Sequence, residues 1–557
     1  MLYPLESKTN NCKNCYKCIR NCPVKAISFF ENKASILHDA CILCGKCYLV
    51  CPQGVKVVRD DVKRVLALLI KKEKVVISLA PSFLNSFENI SFKQIQEAAK
   101  KCGFFEVEET AIGATIVKNA YDEMVNKNEQ SIIISSCCPS INLLISKHFP
   151  DCVPYLAPVL TPMLTHAKYI KARYGEETKV VFVGPCIAKK HEADENKDLV
   201  EAAISFDDLN MIFSKFDIEL KEDLQTYVDH SKARFFPTCG GIIKTMKQDN
   251  PKYKYLSIDG VENAMRALSD IKHGNIDHCF IEMSACPGSC VNGPLIGNFH
   301  RSVLKGYYMV EKSAGKKDFC LTDEEVDIAH QYEPSNLKES IPSEEEINRV
   351  LIATGKPTIA DRLDCGSCGY PSCRDKAIAI IQGKAVKEMC LPELIKRANS
   401  FSDRLVKTFH EGLIVVDSDL KIKLINRYMA DLVGVKKISD VIGKDVSFIL
   451  DPAYFIKTFE DKKNFHQVIL MGEYNTYIDL SIFYDEDSNV LIGAYKNVTK
   501  EIIEEKEQQE KINKTIQLAD EILLKNMKSV QEIASLLGET TASTKVALKN
   551  ITETIKK

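Results

Sequence analysis

Cysteine is the residue best able to do chemistry in this chain, at 22 of 557 residues, with no tryptophan anywhere. Eight of the cysteines form two runs. Cys12, Cys15, Cys18 and Cys22 precede Pro23, and Cys41, Cys44, Cys47 and Cys51 precede Pro52. Both runs read C-x2-C-x2-C-x3-C-P and are offset by 29 residues, which makes them an internal repeat. Spacing this tight lets three thiolates wrap one iron–sulfur cubane, while the fourth cysteine of each run points at the other cluster. On that wiring Cys12, Cys15, Cys18 and Cys51 hold one 4Fe–4S cluster, and Cys22, Cys41, Cys44 and Cys47 hold a second. A zinc ribbon would use cysteine pairs rather than repeated quartets ending in proline.

A third quartet, Cys365, Cys368, Cys373 and Cys390, has the spacing C-x2-C-x4-C-x16-C. Three of its members sit in a Gly/Pro-rich loop, and the stretch Arg374 to Glu388 is expected to be a helix returning the fourth. On spacing alone zinc stays open here.

Further cysteines follow short apolar runs in the middle of the chain. The runs are Val75–Leu79 before Ala80-Pro81-Ser82, Ile132–Ile134 before Ser135-Ser-Cys-Cys138, Val180–Val183 before Gly184-Pro-Cys186, and Phe280-Ile281 before Glu282-Met-Ser-Ala-Cys286. Short β-branched runs between helical stretches such as Phe92–Lys101 and Met163–Tyr174 predict parallel strands of an open α/β sheet. Loops at the carboxyl ends of such strands are where ligands bind, so these cysteines could converge on one metal centre.

These motifs carry several resemblances. The first 60 residues or so resemble a bacterial two-cluster ferredoxin. The third quartet resembles the small 4Fe–4S domain of redox proteins, which favours iron–sulfur over zinc. Ser136-Cys-Cys-Pro139, Gly184-Pro-Cys-Ile-Ala-Lys-Lys-His-Glu192 and Glu282-Met-Ser-Ala-Cys-Pro-Gly-Ser-Cys-Val-Asn-Gly293 resemble the three signature loops of FeFe-hydrogenases, over roughly residues 70 to 340. That resemblance implies that Cys138, Cys186, Cys286 and Cys290 hold the cubane of an H-cluster. Cys290 would also bridge to a two-iron azadithiolate subsite carrying CO and cyanide. It implies further that Lys189 hydrogen-bonds one cyanide, that Pro81 and Ser82 approach the other, and that Cys137 passes protons to the bridgehead amine. A buried lysine opposite an anionic ligand is physically sensible, since neither charge is tolerated there alone.

Departures from the family matter as much. Where catalytic members carry methionines over the two-iron subsite, this chain has Gly184 and Ser284: nothing in one place and a hydroxyl in the other. By loop spacing, the serine and one glutamate of the family's proton path fall on Ala157 and Val117, leaving Glu192 as a candidate. Protons then move slowly or by another route. The cysteines left over, Cys102, Cys152, Cys239, Cys279 and Cys320, are expected to be buried apolar fillers, with Cys239 the foremost exception.

Downstream the pattern changes. Gly412–Asp417, Lys421–Asn426 and Val490–Tyr495 resemble the strands of a PAS sensor domain, and lone His410 and His466 are weak haem candidates. Ile516, Leu523, Val530 and Leu537 recur every seven residues, with Ala519, Asn526 and Ile533 between them, which predicts either a coiled-coil seam or a helix packed on its own PAS domain. Gly538-Glu-Thr-Thr541 is expected to interrupt this helix.

The expected architecture is a multidomain α/β and α+β chain. It comprises a two-cluster ferredoxin domain at 1–62, an H-cluster domain at 63–343, a small 4Fe–4S domain at 344–396, a PAS domain at 397–500 and a helical output segment at 501–557. With 74 basic against 76 acidic residues, the charge of −2 recruits neither nucleic acid nor membrane. Met1 to Lys8 lacks a signal-peptide profile and no apolar run approaches ~18 residues, so a cytoplasmic location is expected. There is no P-loop, kinase ATP motif or DNA-binding helix-turn-helix.

The function expected from these resemblances is a slow, H2-sensing FeFe-hydrogenase with an H-cluster and three additional 4Fe–4S clusters, of the kind anaerobes carry. It would interconvert H2 with protons and electrons, and signal as a homodimer to a phosphatase or kinase. The alternatives are a catalytic enzyme coupled to ferredoxin, and a non-enzymatic iron–sulfur protein lacking the two-iron subsite.

Overall fold

The computed structural model describes residues 3–8, 11–30, 33–221, 231–297, 302–321, 326–335, 337, 341–472 and 475–555. The chain divides into two compact units, Met1–Leu394 and Ile395–Lys557. Among the described residues no helix is long and apolar enough to cross a membrane.

The first unit is built on the expected parallel strands, which form two sheets. Val75–Leu79 pairs with Glu106–Glu109 on one side and Lys179–Val183 on the other, and Ala202–Ile204 completes a four-stranded sheet. Separately, Cys279–Ser284 lies between Lys254–Asp259 and Ile132–Ile134 in a three-stranded sheet. The split follows from strand pairing between segments over 100 residues apart, which no local pattern encodes. Every residue of Val75–Leu79 and of Cys279–Ser284 is buried, as expected of parallel strands covered on both faces. The helices doing the covering include Phe92–Lys101, closed at its start by a Ser91–Gln94 capping box, and Pro162–Tyr174, which starts with proline where a missing N–H costs nothing. Three cysteine-bearing loops, and the Ala80-Pro81-Ser82 loop, leave the carboxyl ends of these strands.

At the amino end two short hairpin-like pairings, Leu5–Ser7 with Lys56–Val58 and Ile27–Phe30 with Lys33–Ile36, frame the two cysteine runs. Each run feeds a short helix, Lys17–Asn21 or Lys46–Val50. Gly45 opens the second with φ 74°, and a Cβ there would stand 2.5 Å from the Pro294 Cβ. The ferredoxin-like part therefore docks on the loop after Cys290 through a contact only glycine allows. In the third quartet the helix is shorter than expected, Cys373–Ile381. The chain turns at Gly383, and a 3-10 turn at Lys387–Met389 delivers Cys390.

The second unit has a five-stranded antiparallel sheet in the order Ile422–Ile425, Gly412–Asp417, Val490–Asn497, Thr476–Asp485, Phe465–Met471. Alternate residues such as Ile414, Val416, Ile478, Leu480 and Ile482 point into one core. His410 and His466 are both exposed, and His466 hydrogen-bonds Ser481 at 2.9 Å.

One helix then runs uninterrupted from Thr499 to Ile555, 57 residues, or about 86 Å at 1.5 Å per residue. The break expected at Gly538–Thr541 is absent. A single glycine costs a helix only ~1 kcal/mol, and the Thr541 and Thr544 hydroxyls donate back to the Leu537 and Thr540 carbonyls at 2.5 and 2.6 Å. Lys506 reaches Tyr477 at 3.0 Å, but beyond it no described side chain of the helix is buried.

Gly45→Ala should cost the cluster-loaded chain at least about 1–2 kcal/mol in denaturant unfolding, from the left-handed backbone alone, and more from the Pro294 clash. Gly54→Ala, where φ is 60° but the space is open, separates the two contributions.

Candidate active site

A cavity of about 120 Å³ lies where the loops of the two parallel sheets meet. Its wall includes Cys137, Cys138, Cys186, Cys286 and Cys290, together with Pro81, Ser82, Lys189 and Ser284. Residues from four separate segments of the sequence are thus brought to one place. Cys138 caps the helix Pro139–His148, Cys186 follows the strand Lys179–Val183, and Cys286 and Cys290 flank the turn after Cys279–Ser284.

Burial pushes the thiols of Cys138, Cys186, Cys286 and Cys290 up, Cys186 to about 11, and their mutual repulsion raises Cys186, Cys286 and Cys290 further. Lys189 opposes this at Cys138, Cys186 and Cys290. Four thiols held this close together, three of them half-buried and Cys290 exposed, ionise together only around cationic metal, so the donor set fits an iron–sulfur cluster. Among the described residues no three His, Cys, Asp or Glu side chains are drawn in around a single-ion position; a cubane carries its thiolates on four separate irons. The buried Ser82 hydroxyl has no hydrogen-bond partner, which fits a further polar group in the cavity beside it.

Lys189 is buried and donates to Glu192 Oε2 at 2.6 Å and to Thr161 Oγ1 at 3.0 Å, leaving one ammonium proton. Glu192 is therefore the counter-charge of Lys189. Cys137 instead meets Tyr121, whose hydroxyl lies 3.2 Å from its Sγ and 3.1 Å from Ser136 Oγ. Burial pushes the Cys137 thiol up to about 12, against the pull of Tyr121 and Lys189. Val117 and Ala157 are wholly buried in the apolar cluster around Tyr121 and Phe280, against which Cys137 packs.

The space above Gly184 is not vacant, as its missing side chain had suggested. A Cβ there would meet the Phe182 ring at 2.7 Å and Ala80 at 3.1 Å. Phe182 lines the cavity with Met163, Phe236 and Met283, so an apolar cover is supplied by neighbours that the motif does not contain. Glu282 is another residue overlooked, although it opens the third motif. It lines the cavity, accepts the Ile242 and Ile243 N–H groups at 2.9 and 3.1 Å, and is pushed up to about 7 by burial against those bonds. Lys190 is buried as well, bonded to Asp61 at 2.9 Å, and ties the end of the ferredoxin-like segment to the second motif.

The cysteine runs lie alongside. Cys18 is near enough to Cys12 and Cys51 to feel their charge, and Cys47 feels Cys44, Cys41 and Cys22, so each fourth cysteine sits with members of the other run. Cys44 reaches the cavity wall and Cys286 feels its charge. On the far side, buried Tyr370 lies between Cys22 and Cys368. The third quartet holds two buried lysines. Lys356 donates to Cys390 Sγ at 3.4 Å, and Lys376 feels Cys390, Cys368 and Cys373 while donating to the Lys387 carbonyl at 3.0 Å. Buried ammonium groups against thiols with no carboxylate bonded to them, among the described residues, suit an anionic cluster. Of the leftover cysteines, Cys102, Cys152 and Cys279 are buried fillers, whereas Cys239 and Cys320 are exposed. Cys239 lies 3.8 Å from Ser257 Oγ and is not part of the cavity wall.

Replacing Lys356 and Lys376 together by methionine should strip iron from the third quartet alone. Iron content is expected to fall to that of Cys368→Ser, with the remaining clusters kept; unchanged iron content would show that the two charges do not hold a cluster.

Known proteins share these features. Residues 73–294 match the family described as iron only hydrogenase large subunit, C-terminal domain; residues 5–65 match the 4Fe-4S dicluster domain, and residues 361–392 an Fe-S cluster family. The chain is 24% identical over 330 residues to the NADP-reducing hydrogenase subunit HndD of Solidesulfovibrio fructosivorans, covering 46% of this chain and 56% of that one. It is 24% identical over 299 residues to the periplasmic Fe hydrogenase large subunit of Nitratidesulfovibrio vulgaris, covering 43% and 70%. The match thus spans little more than half the length of the first relative. A solved variant of the FeFe-hydrogenase HydA1 from Chlamydomonas reinhardtii overlays with TM-score 0.37 at 16% identity, over 46% of this chain and 91% of that one. Residues 73–294 thus carry a region similar to the C-terminal domain of iron-only hydrogenase large subunits, joined in the same chain to 4Fe–4S dicluster and Fe–S cluster regions.

Proposed function

We propose that this chain is an H2-sensing FeFe-hydrogenase. The observation that carries the reading is the convergence of Cys138, Cys186, Cys286 and Cys290 with Lys189 on one cavity. These cysteines would hold the cubane of an H-cluster, with Cys290 shared by the two-iron subsite, and Lys189, Ser82 and Pro81 placed for its cyanides. Such a group, when bound, supplies an open iron and a basic amine that split H2 heterolytically. The chain's own part is to orient it, exclude water with Phe182, Met163 and Phe236, and hold a proton at Cys137 Sγ beside Tyr121. Electrons would leave past Cys44 to the cluster with Cys22, and then past Tyr370 to the third quartet.

Several features favour sensing over bulk turnover. Val117 and Ala157 give the family's proton path nothing to hop through. Cys390 lies in sequence just ahead of Ile395, where a second unit of PAS-like strand pattern begins. That unit ends in a long helix whose a/d residues are exposed, among them Leu523 at 60%. A second copy would cover that seam, Asn526 setting its register. A change of cluster charge beside a bistable element is an adequate switch, and the output would pass to a phosphatase or kinase.

Hydrogen-exchange mass spectrometry under argon and under H2 tests the relay. Wild type should change protection within residues 395–555, and Cys368→Ser should lose that change with its H2 site intact; a variant that responds like wild type contradicts the relay. Leu523→Asp should convert a sedimenting dimer into monomer without loss of iron, and a dimer that persists would place the interface elsewhere.

A further inference from the structure

A buried hydrogen-bonded chain that does not include Cys137 leads from the cavity to the protein surface. Ser78 and Glu108 are register partners on the neighbouring parallel strands Val75–Leu79 and Glu106–Glu109. His166, on the helix Pro162–Tyr174, lies across both. Thr110 belongs to the cavity wall, and its Oγ1 is 2.7 Å from Ser78 Oγ. Ser78 Oγ is 2.8 Å from His166 Nδ1, and His166 Nε2 is 3.2 Å from Glu108 Oε2. The other Glu108 oxygen accepts the Tyr174 hydroxyl at 2.7 Å and Arg173 Nη1 at 2.9 Å. Ser78 and His166 are wholly buried, whereas the Arg173 side chain is 39% exposed. The groups facing the imidazole are Ser78, Glu108 and the stacked ring of Tyr169.

We propose that Thr110, Ser78, His166 and Glu108 form a proton conduit between the cavity and the surface at Arg173 and Tyr174. The inference rests on the reading of the cavity as a site where protons are made and consumed. It supplies the route that Val117 and Ala157 do not. Every group in the series can donate and accept in turn, which a purely structural core histidine does not require. A proton reaching Thr110 Oγ1 displaces the hydroxyl proton onto Ser78, whose own proton passes to His166 Nδ1. His166 then gives its Nε2 proton to Glu108 Oε2; Glu108 is itself buried, and a half-turn of its carboxyl carries the proton to the side of Tyr174 and Arg173, where it passes to water. One proton enters, one leaves and no electron moves; the reverse series brings a proton in. Burial alone would raise the Glu108 carboxyl, but His166, Tyr174 and Arg173 hold it below its usual range, so it does not retain the proton.

The test uses the full chain with its clusters and cofactor. A photoreductant injects electrons, visible bleaching of the clusters reports electron arrival, and an indicator dye reports proton uptake from the medium. His166→Gln keeps a polar side chain in the series but cannot pass a proton through, and should slow proton uptake at least about tenfold while bleaching keeps its wild-type rate. Ser78→Ala, which removes one hydroxyl and leaves ring and carboxylate in place, should do the same and carries the test if His166→Gln fails to keep its clusters. Uptake at the wild-type rate in a variant that retains its clusters overturns the conduit. A wild type that bleaches without taking up protons, or that lacks infrared CO and cyanide bands, overturns the reading of the cavity instead.

Discussion

A thiolate is not carried into an apolar interior unless cationic charge goes with it, and this constraint organises the first unit. Four cysteines line the cavity near enough to repel one another, and Lys189 is the buried ammonium group beside them, itself balanced by Glu192. The third quartet follows the same rule with Lys356 and Lys376. Loops leaving the carboxyl ends of two parallel sheets can bring such groups together because the strands beneath are buried on both faces and fix where each loop starts. The docking of Gly45 against Pro294 extends that rigidity to the cysteine runs, bringing Cys44 to the cavity wall.

Much of this was legible from residue order where the information is local. C-x2-C-x2-C-x3-C-P encodes a loop that wraps a cluster, and the β-branched runs ending at Ala80, Ser135, Gly184 and Ala285 mark strands wherever they pair. Pairing itself is not local, so the division into two sheets was invisible. So was the filling of the space over Gly184 by Phe182, two residues earlier on a strand, because alternation along that strand says nothing about where a ring folds back. Cys239 and Cys320 are exposed although cysteine is usually buried, and Gly538 sits inside a helix because its ~1 kcal/mol cost is small beside the helix formers around it. Glu192 could be named as a candidate, but its partner could not.

The buried polar series through Ser78, His166 and Glu108 shows the same limit from the other direction. Its members come from two strands and a helix, and none lies in a recognisable motif. Each looks like an ordinary core residue until the register Ser78↔Glu108 puts both side chains under one imidazole. A site whose neighbours at Val117 and Ala157 are apolar still has polar contact with the surface, through groups that exchange protons rather than electrons. Cys44 and Thr110 both line the cavity, one from a cysteine run and the other from the end of the strand Glu106–Glu109.

On the function proposed, the cavity holds a hydrogenase cofactor and responds to H2. Infrared spectroscopy on anaerobically purified, cofactor-matured protein under argon and then under graded H2 tests it most directly. Sharp CO and cyanide bands that shift reversibly with H2 are the predicted result. Their absence, after a control hydrogenase matured in parallel shows them, would leave an iron–sulfur scaffold without the two-iron group and contradict the account.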